Sequence, residues 1–183
     1  MITYLVSGDA DIEPATMNLR QSQRLVRHGL EVPAVAVEAL GVGERFVVVA
    51  HGSDDGTVFW SGGVAEERER WLWVGMEPAP VRSRVYLYCC KAGPRISKYL
   101  NACECIGHRD VVPTPVDDSA EVVLRFLDEV DVLMLEDEFD PISWRRRLSG
   151  FVNAQLDREV DNSTSLRAPL LWFILSKSIG IGE

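Results

Sequence analysis

Three continuous apolar runs constrain the fold of this chain more than any other feature. They lie within residues 2–8, 45–53 and 83–90, and their centres read ITYLV, FVVVA and VYLY. A strand with one face in water alternates apolar and polar residues, whereas a strand buried on both faces is apolar throughout. We therefore predict that these three segments are buried strands of a mostly parallel sheet.

Helical segments alternate with the predicted strands. They lie at residues 17–30, with Gly29 as a stop, and at 94–105, 117–135 and 142–160. The third has an apolar stripe at helical spacing, formed by Val122, Val123, Phe126, Leu127 and Val130. This alternation predicts an α/β fold with three layers, α/β/α, around a mostly parallel central sheet, in a single domain over residues 1–183.

The remaining segments have weaker patterns. Asp55-Gly56 predicts a hairpin turn after the second run, and residues 64–76 predict a short helix or an irregular excursion. Trp60, Trp71 and Trp73 lie between the second and third apolar runs, and they are candidates for core residues, for the lining of a substrate groove or for a partner surface. The apolar residues 166–175 predict a final buried element.

The charge balance excludes some classes of function. The chain has 19 Lys and Arg residues against 28 Asp and Glu residues, which gives a formal net charge of −9. Nucleic acids and anionic membranes are bound by basic surfaces, so we expect neither as a partner. No signal peptide and no membrane-spanning apolar run is recognised, so we expect a cytoplasmic protein.

Two reactive side chains stand at the ends of predicted strands. His51 ends the second run and Cys90 ends the third. Functional groups gather at the carboxyl ends of parallel strands, so we expect these two side chains to lie close together. A helix predicted to begin near Pro94, and the adjacent Lys91, favour negative charge on a thiol. The amides of Gly52 and Cys90 are candidate donors to an oxyanion.

The order of these motifs resembles that of the caspase-like (clan CD) cysteine peptidases, which include caspases, metacaspases, gingipains, separases and CHAT proteases. VVVAHGS, around His51, is similar to their histidine motif. VYLYCCKAG resembles the cysteine motif of the CHAT branch, Ser-Ala-Cys-x-Thr-Gly, with Cys90 as the nucleophile, Cys89 in the alanine position and Gly93 in the glycine position. CIGHRDVVPTP is similar to a short strand and turn of CHAT domains. The resemblance spans about residues 45–135.

This resemblance implies a caspase-like fold and a cysteine endopeptidase that needs no cofactor. Cys90 would attack the scissile carbonyl to form an acyl-enzyme, and His51 would transfer protons. The amides of Gly52 and Cys90 would stabilise the oxyanion. The substrate would be a protein or peptide. Small prokaryotic members often act as effectors that cleave a protein partner on a signal, so a regulatory protein partner is implied.

Substrate preference does not carry over from the resemblance. Metacaspases and gingipains usually have Asp two places before the nucleophile, where this chain has Tyr88. Asp54 and Asp55, if they are more than turn residues, would attract a basic substrate group. Lys91, if it is more than a solvated cation, would favour an acidic one. These indications oppose each other.

Several alternatives stay open. A shift of one residue in the motif makes Cys89 the nucleophile instead of a core residue, although alternation along a strand gives the two cysteines opposite faces. Cys103, Cys105 and His108, with Cys89 or Cys90, offer zinc ligands, but their spacing is not that of a zinc knuckle, and we expect no metal. A non-catalytic caspase-like scaffold and a small-molecule thiol hydrolase are rival functions.

Overall fold

The computed structural model describes residues 2–7, 12, 25–28, 45–55, 57–59, 70–72, 84–91, 104–113, 119–162 and 164–179. The strands within these residues are β1 (Ile2–Val6), β2 (Leu25–His28), β3 (Arg45–Val49), β4 (His51–Gly52), β5 (Val58–Phe59), β6 (Arg70–Leu72), β7 (Arg84–Tyr88) and β8 (Glu104–Gly107). The helices in the same part of the chain are α1 (Ala120–Met134), α2 (Pro141–Asn162) and α3 (Arg167–Ile179).

Five of the strands form one parallel sheet. Its order is β2-β1-β3-β7-β8, and each neighbouring pair runs parallel. From β1 the chain first adds β2 on one side and then adds β3, β7 and β8 on the other side. The boundary between β1 and β3 is therefore the switch point, where doubly wound sheets bind ligands. The α/β class and the parallel sheet predicted from the sequence are confirmed. Strands β4, β5 and β6 form a second, antiparallel sheet, so the predicted hairpin after His51 is also confirmed.

The parallel sheet is buried on both faces. On one face, Tyr4, Val47 and Tyr86 belong to the core cluster that includes the helices. Their sequence neighbours Leu5, Val48 and Leu87 point the other way and are also fully buried. Burial of both faces explains why these strands are continuous apolar runs rather than alternating ones.

Helix α1 packs its apolar stripe against the first face. The predicted stripe residues are all buried: Val122, Val123, Phe126, Leu127 and Val130. The Phe126 ring contacts the rings of Tyr86 and Tyr88, with centroid distances of 6.2 and 5.8 Å. The Tyr4 hydroxyl on β1 donates a hydrogen bond of 2.5 Å to Asp131 on the same helix. The predicted helix is therefore confirmed, and it holds the strand that ends at the cysteines.

Arg84 joins the amino end of β7 to the end of α1. Its guanidinium donates to Glu104 at 2.5 Å and to the carbonyl oxygens of Met134, Glu136 and Asp137. It also lies over the Trp144 ring, 5.2 Å from the centroid. A buried guanidinium needs partners for its donors, and these carbonyls at the helix end supply them.

Three predictions of local structure are wrong. Leu25–His28 is a strand and not part of a helix, because it pairs with β1 in parallel register from Thr3 to Val6. Arg70–Leu72 is a strand within the excursion predicted as helical or irregular. Glu104 and Cys105 begin β8 instead of ending a helix. The rest of the helix predicted over residues 94–105, with Cys103, lies outside the described residues.

The last helix is only partly buried. Trp172 and Leu175 lie in the core, whereas Leu166, Leu170 and Phe173 are exposed. The predicted final buried element is therefore confirmed in part, as a helix with one buried and one exposed side. Among the described helices, none combines the length and the apolar composition needed to cross a membrane.

Candidate active site

The candidate site lies at the carboxyl ends of β3 and β7, which are neighbours in the parallel sheet. The amide of Ala50 donates to the carbonyl of Tyr88 at 3.3 Å, so the pairing continues one residue beyond the strands. His51 and Gly52 then leave the parallel sheet and pair with Phe59 and Val58 in the antiparallel one. The chain therefore changes sheet at the histidine, beside the end of the cysteine strand.

Gly52 packs against the backbone of Cys90. A Cβ atom placed on Gly52 would lie 2.0 Å from the carbonyl oxygen of Cys90 and 3.3 Å from its amide nitrogen. No side chain fits in that space, so this position requires glycine because of close approach. The two residues predicted to donate to an oxyanion are thereby brought into contact.

His51 and Cys90 line one pocket. Both are half-buried, and the described residues around them are Ile12, Val49, Ala50, Tyr88, Val112 and Pro113. A pocket shared by a thiol and an imidazole is what nucleophilic catalysis by cysteine requires. Of the predicted site residues, the fold brings together His51, Gly52, Tyr88 and Cys90.

The sulfur of Cys90 has a hydrogen-bond donor beside it. The amide of Val112 points at Sγ with a distance of 3.4 Å, and Sγ lies 4.0 Å from the carbonyl oxygen of the same residue. Val112 belongs to the segment that follows β8, the strand next to β7. An N–H group directed at sulfur in this way is a hydrogen-bond donor to it. The sequence alone did not identify Val112.

Lys91 has an unusual backbone conformation directly after Cys90. Its φ angle is 55°, in the left-handed region that residues other than glycine rarely adopt. Its amide donates to the carbonyl of Asp110 at 3.2 Å, which ties this turn to the segment after β8. Such strained positions cluster at functional sites, and here the strained turn fixes the direction in which Cys90 leaves its strand.

Lys91 and Asp54 form an ion pair at the edge of the site. The ammonium nitrogen lies 2.5 Å from Asp54 Oδ1, and this hydrogen bond, with the carboxylate charge, raises the pKa of Lys91. The pair links the segment after the histidine to the segment after the cysteine. Asp55 has a different role, because it accepts hydrogen bonds from Ser53 and Thr57 inside the hairpin turn.

Cys89 lies in a different environment from Cys90. It is fully buried, whereas Cys90 contacts the core cluster on the helical face and also lines the pocket. Burial raises the pKa of the Cys89 thiol well above its usual value, and the nearby Cys90 and Cys105 raise it further. A buried thiol with a raised pKa is inert as a nucleophile. This geometry favours Cys90 for that role.

His108 is part of the core and not of the pocket. Its Nε2 lies 3.0 Å from the Tyr86 hydroxyl and its Nδ1 lies 2.7 Å from the Ser178 hydroxyl. Burial, with a smaller contribution from Arg145, lowers the pKa of His108 to about 3. Both ring nitrogens thus have protein partners. In the described residues, which exclude Cys103, no three His, Cys, Asp or Glu side chains are grouped as metal ligands.

Comparison of the chain with models of protein families, with curated proteins and with solved structures found no match.

Proposed function

We propose that this protein is a cysteine endopeptidase in which Cys90 and His51 form a catalytic dyad. The observation that carries the proposal is the contact between Gly52 and Cys90 at the ends of two neighbouring strands, with His51 and Cys90 on one pocket. A cysteine and a histidine from separate strand ends, beside a glycine with no room for a side chain, are the parts that acyl transfer needs.

In the proposed mechanism His51 accepts the thiol proton of Cys90, and the thiolate attacks the scissile carbonyl carbon of a peptide. A C–S bond forms, and the C–N bond then breaks as the imidazolium gives the proton to the leaving amine. His51 next takes a proton from water, the hydroxide attacks the thioester carbon, and the C–S bond breaks as the imidazolium returns the proton to the sulfur. The products are a carboxylic acid, an amine and the original thiol, so atoms and protons balance without any cofactor.

Negative charge that develops on the carbonyl oxygen needs donors. We assign this role to the amides of Gly52 and Cys90, because the two residues are in backbone contact. The amide of Val112 has a separate role, because it points at the sulfur. It stabilises the thiolate before attack rather than the oxyanion after it.

We also propose that the fold is a three-layer caspase-like domain. This agrees with the helices on one sheet face and with the full burial of Leu5, Val48 and Leu87 on the other. The substrate is a protein partner, cleaved when a regulatory partner signals. The pocket is lined by residues at the ends of β3 and β7 and by Ile12, which follows β1, so it borders the switch point between β1 and β3 where ligands are expected.

A peptide-library cleavage assay tests the proposal. Wild type, Cys90→Ala, His51→Ala and the control Cys105→Ala are incubated with a proteome-derived peptide library, and new termini are identified by mass spectrometry. We expect cleavage by wild type and Cys105→Ala, and a loss of at least about 100-fold in the two dyad variants. Cleavage that survives in Cys90→Ala, or none by wild type, contradicts the proposal. A wild type that leaves peptides intact but hydrolyses small thioesters is instead a small-molecule hydrolase.

A further inference from the structure

The described lining of the pocket beside Cys90 contains no Asp, Glu, Lys or Arg side chain. Besides His51 and Cys90 themselves, its described lining consists of Ile12, Val49, Ala50, Tyr88, Val112 and Pro113. On this basis, and resting on the proposed peptidase function, we infer that the substrate residue on the acyl side of the scissile bond has a small, uncharged, apolar side chain.

The charged residues near the site do not change the preference of the pocket for an uncharged side chain. The described charged residues near the two dyad segments include Asp54, Asp55, Lys91 and Asp110, and none of them is among the described residues that line the pocket. Asp54 and Lys91 pair with each other at 2.5 Å, with the Asp54 side chain largely exposed. A charged substrate side chain would lose its water in the pocket and would meet no Asp, Glu, Lys or Arg side chain among the described lining residues, which is costly.

Two polar groups of the lining are already paired. The Tyr88 hydroxyl donates to the carbonyl of Pro113 at 2.8 Å, and the amide of Val112 is directed at the Cys90 sulfur. A polar substrate side chain would have to displace one of these bonds. An apolar side chain leaves both intact and gains contact with the lining.

The size of the pocket limits the side chain further. Its cavity volume is about 20 Å³, which is room for roughly one water-sized group such as a methyl group. Val49 and Tyr88 in its wall are 1% exposed, and both belong to the core cluster. Walls fixed in a packed core do not yield to a large side chain.

Peptidyl acyloxymethyl ketones test this inference. Four probes differ only in the residue next to the ketone, which is Ala, Leu, Asp or Arg. The Cys90 thiolate attacks the methylene carbon, forms a C–S bond and expels the carboxylate, and mass spectrometry gives the rate of modification. We expect the Ala probe to modify Cys90 at least tenfold faster than the Asp and Arg probes, and faster than the Leu probe. A charged probe that reacts as fast as the Ala probe, or four probes that react equally or not at all, overturns the inference.

A variant of the lining sharpens the test. Val112→Ala enlarges the pocket and leaves the amide at the sulfur in place. We expect it to raise the rate of the Leu probe relative to the Ala probe at least fivefold, since one or two methylene groups in an apolar pocket change rates by about tenfold or more. The matched control is Val111→Ala, whose half-exposed side chain is not among the described lining residues. An equal ratio in both variants contradicts the assignment of Val112 to the pocket.

A second reagent separates failure of this inference from failure of the peptidase proposal. Chloroacetamide has no side chain to place in the pocket, so it reports only on the reactivity of the thiol. If chloroacetamide labels Cys90 in a His51-dependent way while the ketone probes show no preference for Ala, the specificity is wrong and the dyad stands. If the labelling does not depend on His51, the peptidase proposal fails as well.

Discussion

Gly52 and Cys90 approach so closely that the missing side chain of one leaves room for the backbone of the other. The Cys90 carbonyl oxygen lies 2.0 Å from the point that a Cβ atom on Gly52 would occupy, which is far below any real contact. This approach fixes the end of the cysteine strand against the residue that follows His51. The position of the proposed dyad therefore depends on a backbone contact as well as on side chains.

Replacement of Gly52 by alanine should disrupt the site and the fold. The added methyl group must push the Cys90 backbone away, and overpacking of this kind costs at least about 2 kcal/mol of unfolding free energy. Urea unfolding and the rate of Cys90 alkylation measure the two effects. The control is Gly150→Ala on α2, where a Cβ meets nothing within 4 Å. It should raise stability by up to about 1 kcal/mol. Equal effects of the two substitutions would refute the packing argument.

The ion pair between Lys91 and Asp54 should position the two segments that carry the dyad. Asp54→Lys places two cations together and should lower the urea midpoint of unfolding, because the segments repel each other. The charge-swapped double variant, Asp54→Lys with Lys91→Asp, should recover most of the wild-type midpoint. Added salt should reduce the differences, since exposed pairs are screened. A double variant with a midpoint as low as that of the single one would show that the pair does not act through its charge.

Stability should fall in mild acid because of His108. Its pKa is about 3 in the folded protein against about 6.5 when unfolded, so the unfolded state binds the proton first as the pH falls. The contribution of His108 to the free energy of unfolding is complete above about pH 6.5. It is lost as the pH falls toward 3, at a rate of up to about 1.4 kcal/mol per pH unit. Urea midpoints at pH 7.5, 6 and 5 measure this loss. His108→Gln should show a smaller pH dependence, and an unchanged slope would exclude His108 as its source.

Arg84 should stabilise the fold without acting at the site, which lies at the opposite end of β7. Arg84→Lys removes most of the donors to the carbonyls at the end of α1 and should cost about 2 to 4 kcal/mol. The control is Arg147→Lys, because Arg147 pairs with Glu129 at the surface. Loss of that ion pair should lower the free energy of unfolding by less than about 1 kcal/mol. Equal losses of stability in urea unfolding would contradict the role of Arg84.

The elements that are predictable from the sequence are those whose burial can be inferred from their own residue pattern. The strands at residues 2–6, 45–49 and 84–88 and the stripe of α1 show their burial in their own pattern. Leu25–His28 does not, because its strand state comes from pairing with β1, which no local spacing records. Apolar composition alone did not predict which residues near α3 are buried, because three of them are exposed: Leu166, Leu170 and Phe173.

The candidate site was likewise predictable only where local sequence patterns determine it. The ends of two strong strands place His51 near Cys90 in any parallel sheet where the strands are neighbours, and alternation assigns the two cysteines to different faces. The amide of Val112 reaches the sulfur only because β8 lies beside β7. The pairing of Lys91 with Asp54 likewise depends on segments that are far apart in sequence. Both contacts are consequences of tertiary structure.

The rate of thiol alkylation tests the central claim most directly. Iodoacetamide is applied near neutral pH to wild type and His51→Ala, and peptide mass spectrometry follows Cys90, with Cys89 and Cys105 as internal references. We predict that Cys90 of the wild type reacts at least tenfold faster than the other two, that Cys89 stays unmodified, and that His51→Ala removes the advantage of Cys90. Equal labelling of Cys90 in both proteins, or fastest labelling at another cysteine, would contradict the proposed dyad.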